Sequence, residues 1–108
     1  TNISCKVKMS VYLIIKSETS LVNKQDFEDW YNNEHLKEAK KDFGAISAKR
    51  GWVKNSDYHI AIYEFENIKI AEKILKSKKL NLLIKKFDNK WNNKVSRTRE
   101  LVDIIQDF

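Results

Sequence analysis

Strict alternation marks the first structured stretch. Between Val7 and Lys16, Val11, Leu13 and Ile15 fall on one side of an extended chain and Tyr12 and Ile14 on the other. This period of two predicts a strand, and two apolar faces predict a central strand covered on both sides. The period then changes: at 100° per residue, Phe27, Tyr31, His35 and Ala39 lie at steps of four on one line, with Leu36 and Phe43 beside it. That spacing predicts an amphipathic helix running to about Lys41. Asn23 is placed to cap it, and Asp26 and Glu28 put negative charge in the first turns, where the helix dipole favours it. After a turn at Gly44, Ala45 to Lys54 reads as a second strand, less apolar and so nearer an edge. Asn55-Ser56-Asp57 reads as a turn and Tyr58 to Glu66 as a third strand with two largely apolar faces. Helical spacing returns at Ile68, with one stripe of Ile70, Ala71, Ile74 and Leu75 and another of Leu80, Leu83, Ile84, Phe87 and Trp91, broken near Ser77. Val95 to Gln106 alternates Val102 and Ile104 against Leu101 and Ile105 and closes the sheet as an edge strand.

The order strand, helix, two strands, helix, strand is the split β-α-β arrangement, which makes the expected fold an α+β, ferredoxin-like βαββαβ antiparallel sheet with helices on one face. With no Pro and only two Gly in 108 residues, nothing marks a linker, and residues 1–108 read as one domain. RNA-recognition modules share this order and stack bases on aromatics of the third strand. Here the stacking positions are Ile60 and Ile62, which offer no rings. Tyr12, Ile14, Ile60 and Ile62 instead make an aliphatic patch on the sheet face away from the helices, and the simplest cover for such a patch is a second copy of the sheet. The opposite parity, His59, Ala61, Tyr63 and Phe65, points toward the helices and the line Phe27, Tyr31, His35.

Charge changes this picture little. The net +6 comes mostly from lysines on every segment, with Arg50, Arg97 and Arg99 the only arginines. Phosphate-binding surfaces favour clustered Arg, whose fork matches the anion, so a solvated surface is the expectation and nucleic acid is not an expected partner. No apolar run approaches the ~20 residues of a membrane span. Thr1 to Ser10 carry no apolar core of the signal-peptide kind, and a lone Cys5 suits a reducing compartment, so a cytoplasmic location is expected.

Several short motifs occur in a telling order. Trp30-Tyr31-Asn32-Asn33-Glu34-His35 resembles the Trp-Tyr-x-x-Glu-His signature in the first helix of many dimeric α/β barrel proteins. Phe43-Gly44-Ala45-Ile46-Ser47-Ala48-Lys49-Arg50 is similar to the family's turn into its second strand, and Tyr58-His59-Ile60-Ala61-Ile62-Tyr63-Glu64-Phe65 to its third. Trp91 and Arg97-Thr98-Arg99-Glu100 resemble a common closing pattern. The resemblance implies a ferredoxin-like protomer, a homodimer, and a small-molecule cavity between the helices and the sheet. That superfamily includes cofactor-free polyketide cyclases and isomerases, monooxygenases of antibiotic biosynthesis, relatives of the ether-degradation protein EthD, and haem-using branches. The absence of a Pro after Glu34-His35 and the Lys at position 49 leave the subfamily open.

His35 is the first candidate for chemistry, because an imidazole on an otherwise apolar line must find a partner or face a cavity, and its ordinary pKa suits acid–base work near neutrality. Tyr31 and Tyr63 can donate a phenolic proton to a ligand carbonyl. Glu34, beside Trp30, is expected to reach a strand residue such as an arginine, or a backbone amide, since adjacent helix positions diverge by 100°. His59 shares the parity of Tyr63, and Trp52 and Arg50 share one face of the second strand, where an arginine can hold an acidic ligand. Neither histidine spacing nor cysteines support a metal site. The resulting expectation is a cofactor-independent proton-transfer enzyme of cyclase or isomerase type, with a non-catalytic ligand- or haem-binding protein of the same fold as the alternative.

Overall fold

The computed structural model describes residues 9–108. Four strands, β1 (Val11–Glu18), β2 (Ser47–Trp52), β3 (Tyr58–Phe65) and β4 (Ser96–Asp103), form one sheet in the order β2-β3-β1-β4, with every neighbouring pair antiparallel. This is the ferredoxin-like arrangement. The expected β1 start at Val7, and Cys5, lie outside the described residues; the strand ends two residues beyond the expected Lys16. β2 and β4 are the edges, as their weaker apolar content predicts.

Between β1 and β2 run α1 (Lys24–Trp30), one π-helical turn (Tyr31–His35) and α2 (Leu36–Phe43). The Asn23 side chain accepts from the Asp26 amide at 2.9 Å, so the cap is made as its residue type predicts. The helix ends two residues beyond Lys41, where Gly44 takes φ 66° and two bonds close a Schellman motif, Ala45 N–H to Lys40 and Gly44 N–H to Lys41, each 3.1 Å. In the π turn the Leu36 amide bonds Tyr31, five residues back, which brings side chains five apart onto one face.

The return connection carries α3 (Ile68–Leu75) and α4 (Lys78–Lys90). The break between them is capped by Ser77, whose hydroxyl accepts from the Leu80 amide at 3.1 Å. Ile70 is exposed, contrary to the stripe expected of it; Ala71 is the buried contact of α3. Asn92 and Asn93, at φ 53° and 58°, turn the chain into β4 through left-handed positions that Asn tolerates.

Strand register sorts the sheet into two faces. Helix side, the rows are Trp52–His59–Ser17–Arg97, Arg50–Ala61–Ile15–Arg99 and Ala48–Tyr63–Leu13–Leu101. Against them pack the helices, around Phe27, which is fully buried with the rings of Tyr31, Trp52, His59, Phe87 and Trp91 between 5.1 and 6.0 Å away. The other face carries Tyr12, Ile14, Ile60, Ile62 and Val102 and has no layer of this chain over it among the described residues.

Candidate functional site

The π turn sets the position of His35. Residues 30 and 35 diverge by 140° in a regular α-helix, yet here the His35 ring stacks on Trp30 with centroids 4.1 Å apart and planes 13° from parallel. Tyr31 meets the same imidazole edge-on at 4.8 Å. His35 is 6% exposed, and its Nδ1 has no hydrogen-bond partner among the described residues; Glu38 Oε1 is 3.8 Å away, beyond bonding range. Burial holds the imidazole well below the usual histidine range, at about 4, with Arg97 and Lys86 acting the same way and Glu38 opposing them. It is therefore neutral at pH 7.

His35 opens onto a narrow slot between the helices and the sheet. Tyr31 and Tyr63 line it, Leu80, Leu83 and Ile84 of α4 wall it from outside, and Arg97 and Arg99 lie at its β4 end. Its volume is about 20 Å³, room for roughly one water. Both phenols are buried and their ionisation is pushed above the ordinary tyrosine range, mainly by that burial, so they are protonated near neutral pH. A second, larger groove of about 590 Å³ lies on the outer surface between Asp26, Asp29, Glu34 and the Trp91–Lys94 turn. It is wide and mostly polar, and neither histidine nor either buried phenol lines it.

His59 is fully buried one layer deeper, between the rings of Phe27, Tyr31 and Trp52. Arg50 Nη1 stands 3.5 Å from its Nε2, at the outer edge of hydrogen-bond distance. The His59 Nδ1 and the hydroxyl of Ser17, its partner in register, are both without a hydrogen bond among the described residues. Burial, then the Arg50 charge, push His59 down to about 4.

Comparison with solved structures places the architecture. An EthD (ethyl tert-butyl ether D) family protein of Bacillus halodurans superposes with a TM-score of 0.70 at 18% identity, covering 90% of this chain and 100% of that one. A Bacteroides thetaiotaomicron protein of unknown function, described as a possible oxidoreductase, gives 0.63 at 10% identity over 91% of this chain and 100% of its own. A dimeric ferredoxin-like protein from an uncultured marine organism gives 0.53 at 10% identity over 93% and 99%. The chain has an EthD-like ferredoxin fold. No family profile matches the sequence, and no curated protein is similar to it at a significant level.

Within this EthD-like fold the sequence candidates separate into two groups. His35, Tyr31 and Tyr63 meet at the slot; Trp30 backs the imidazole. Arg50, Trp52 and His59 sit on the far side of Tyr31, away from the slot lining. Glu34 belongs to neither: it is exposed, with Lys86 Nζ at 3.9 Å, and does not reach a strand arginine. The carboxylate that does so is Glu28, which accepts from Arg50 Nη1 and Nη2 at 2.7 and 2.6 Å and from Trp52 Nε1 at 2.9 Å. These donors hold Glu28 down at about 2. Among the described residues no three His, Cys, Asp or Glu side chains gather as a metal ion requires.

The two carboxylates should behave differently. Glu28→Gln removes the charge from a bidentate pair whose arginine is 12% exposed, and should cost about 1–3 kcal/mol in urea unfolding. Glu34→Gln breaks an exposed contact and should cost under about 0.5 kcal/mol. Equal losses in the two variants would show that the Glu28 fork does not tie the first helix to β2.

Proposed function

We propose that the protein is a homodimeric small-molecule enzyme in which His35 moves a proton on a carbonyl substrate held by Tyr31 and Tyr63, without a cofactor. One observation carries this reading: a buried, neutral imidazole and two protonated phenols line one slot. A phenol donating to the substrate carbonyl oxygen acidifies the adjacent C–H. His35 accepts that proton and returns it to another carbon, which yields isomerisation; in a substrate with a second carbonyl the enolate carbon adds to that carbonyl carbon, its C=O π bond breaks, and the alkoxide oxygen takes the proton from His35, which closes a ring. The substrate makes its room by displacing Leu80, Leu83 and Ile84, the outer wall that α4 supplies. The second copy packs on the open sheet face, where Tyr12, Ile14, Lys49, Ile62, Val102 and Ile104 line a shallow depression of about 260 Å³.

A second reading, ligand binding without turnover, is favoured by the low pKa of His35, since an efficient base is poised near the working pH. Haem is the poorer ligand for this reading: His59 is walled off by Tyr31 and Phe27, and the slot has to open much further for a macrocycle than for a small carbonyl compound.

The experiment is deuterium exchange at the α-carbons of simple 1,3-dicarbonyl compounds, followed by NMR in D₂O. The wild type should accelerate exchange, and His35→Gln should lose about 10²–10⁴-fold of that acceleration while keeping its circular dichroism and dimer mass. Saturable binding with no exchange would select the second reading. Equal exchange in wild type and His35→Gln would remove His35 from the chemistry.

A further inference from the structure

Arg97 and Arg99 are the charged residues of the slot lining; the rest of that wall is aliphatic or aromatic apart from His35 and the two tyrosine hydroxyls, and no carboxylate faces in. Both arginines reach the helix side because β4 pairs Arg99 with Ile15 and Arg97 with Ser17, two residues buried under the helices. Arg97 is held in place. Its guanidinium lies 3.7 Å from the Phe87 ring centroid, Nη2 donates to Asp88 Oδ1 at 2.9 Å, and its side chain is 8% exposed. Arg99 is exposed and has no acidic partner among the described residues.

Two guanidinium groups two residues apart on one face repel each other, and the single carboxylate of Asp88 balances one of them. The field at this end of the slot is positive, which is also why Arg97 disfavours a charge on His35. An anion relieves both strains. A planar fork is the donor geometry that matches a carboxylate in two bonds. The body of such a ligand has to be apolar, because hydroxyl groups buried against Ile15, Phe43, Leu80 and Leu83 would lose their water without gaining partners.

We propose that Arg97 and Arg99 bind the carboxylate of an apolar carboxylic acid whose carbon body enters toward His35, Tyr31 and Tyr63 as Leu80, Leu83 and Ile84 move outward, since the slot of about 20 Å³ must widen to take it. This rests on the slot being the ligand site and adds the class of ligand it takes. Arg99 is the adaptable half of the clamp, closing on the carboxylate from solvent, while Arg97 is pre-positioned by Phe87 and Asp88.

The test uses three probes on the full chain: sodium octanoate, its uncharged analogue octanamide, and inorganic phosphate. Binding is followed by calorimetry and by Trp fluorescence, to which Trp30 contributes through its stack on His35. Octanoate should bind saturably, and octanamide and phosphate at least about tenfold more weakly. Arg99→Gln should weaken octanoate binding several-fold toward the octanamide level, Arg97 keeping part of the preference, without changing octanamide binding or the melting temperature, because Arg99 is exposed and holds nothing else; Arg99→Lys should restore part of the loss. Equal affinity for octanoate and octanamide would overturn the anion clamp and leave the slot as a ligand site. Octanoate binding unaffected by Arg99→Gln would overturn it as well. No saturable binding of either eight-carbon probe at millimolar concentration would overturn the clamp and the slot together.

Discussion

Acidification from pH 7 to pH 4 should remove several kcal/mol of folding stability. His35 and His59 are buried as neutral imidazoles and held at about 4, chiefly by burial, with Arg97 and Lys86 repelling charge on the first and Arg50 on the second. In the unfolded chain each titrates near 6.5. A base with its folded pKa below its unfolded one leaves the unfolded state holding more protons between the two values, so stability falls as the pH falls through that window. The fall from 6.5 to about 4 corresponds to roughly 3 kcal/mol per histidine, and two such losses are a large part of the ~5–15 kcal/mol that holds a domain together. Glu28 adds a separate, later loss. Its pKa lies below the ordinary carboxylate value, so the stability it contributes is complete above about pH 4.5 and disappears as the pH falls toward 2. Urea unfolding at fixed protein concentration from pH 8 to pH 3.5 should show the midpoint falling from near pH 6.5, and replacement of either histidine by Phe should flatten that slope. A midpoint constant between pH 6.5 and pH 4 would mean that the two imidazoles are hydrated in solution.

Much of this arrangement was legible in the residues, and the parts that were not have physical reasons. The strand faces followed from alternation, because a period of two leaves no other way to bury Val11, Leu13 and Ile15 together. The line Phe27, Tyr31, His35, Ala39 was legible as a buried face. The π turn was not: no residue type marks it, and it alone produces the Trp30–His35 stack. The orientation of Arg97 and Arg99 was within reach, since they share parity with Leu101, a helix-facing residue, but charged residues at an edge strand read first as solvent-facing. The choice of Glu28 over Glu34 as the partner of Arg50 depends on the first half of the helix lying over β2, a tertiary fact that no local spacing carries. The narrowness of the slot also depends on how deeply Leu80, Leu83 and Ile84 interdigitate with the sheet.

The proposed sheet-face dimer should be the feature most sensitive to a single substitution. Ile14 and Ile62 face each other across the two central strands, with Tyr12 and Val102 beside them, and no element of the protomer covers this patch among the described residues. A homodimer on it should bury on the order of 2,000 Å² or more, in the range where folding and association are coupled. An Asp placed there is buried twice, once in each copy, and leaving a charge desolvated without a partner costs several kcal/mol. Position decides how clean the test is. Ile62 is paired in register with Lys49, which can neutralise an Asp at that site, whereas Ile14 is paired with Glu100, which repels it. Ile14→Asp should therefore give monomer or insoluble protein by sedimentation, while Ile62→Asp retains a weakened dimer whose dissociation grows with added salt as the Lys49 contact is screened. A wild type that sediments as a monomer at tens of micromolar, or an Ile14→Asp variant that remains fully dimeric, would place the dimer contact elsewhere and leave the aliphatic sheet face without its proposed cover.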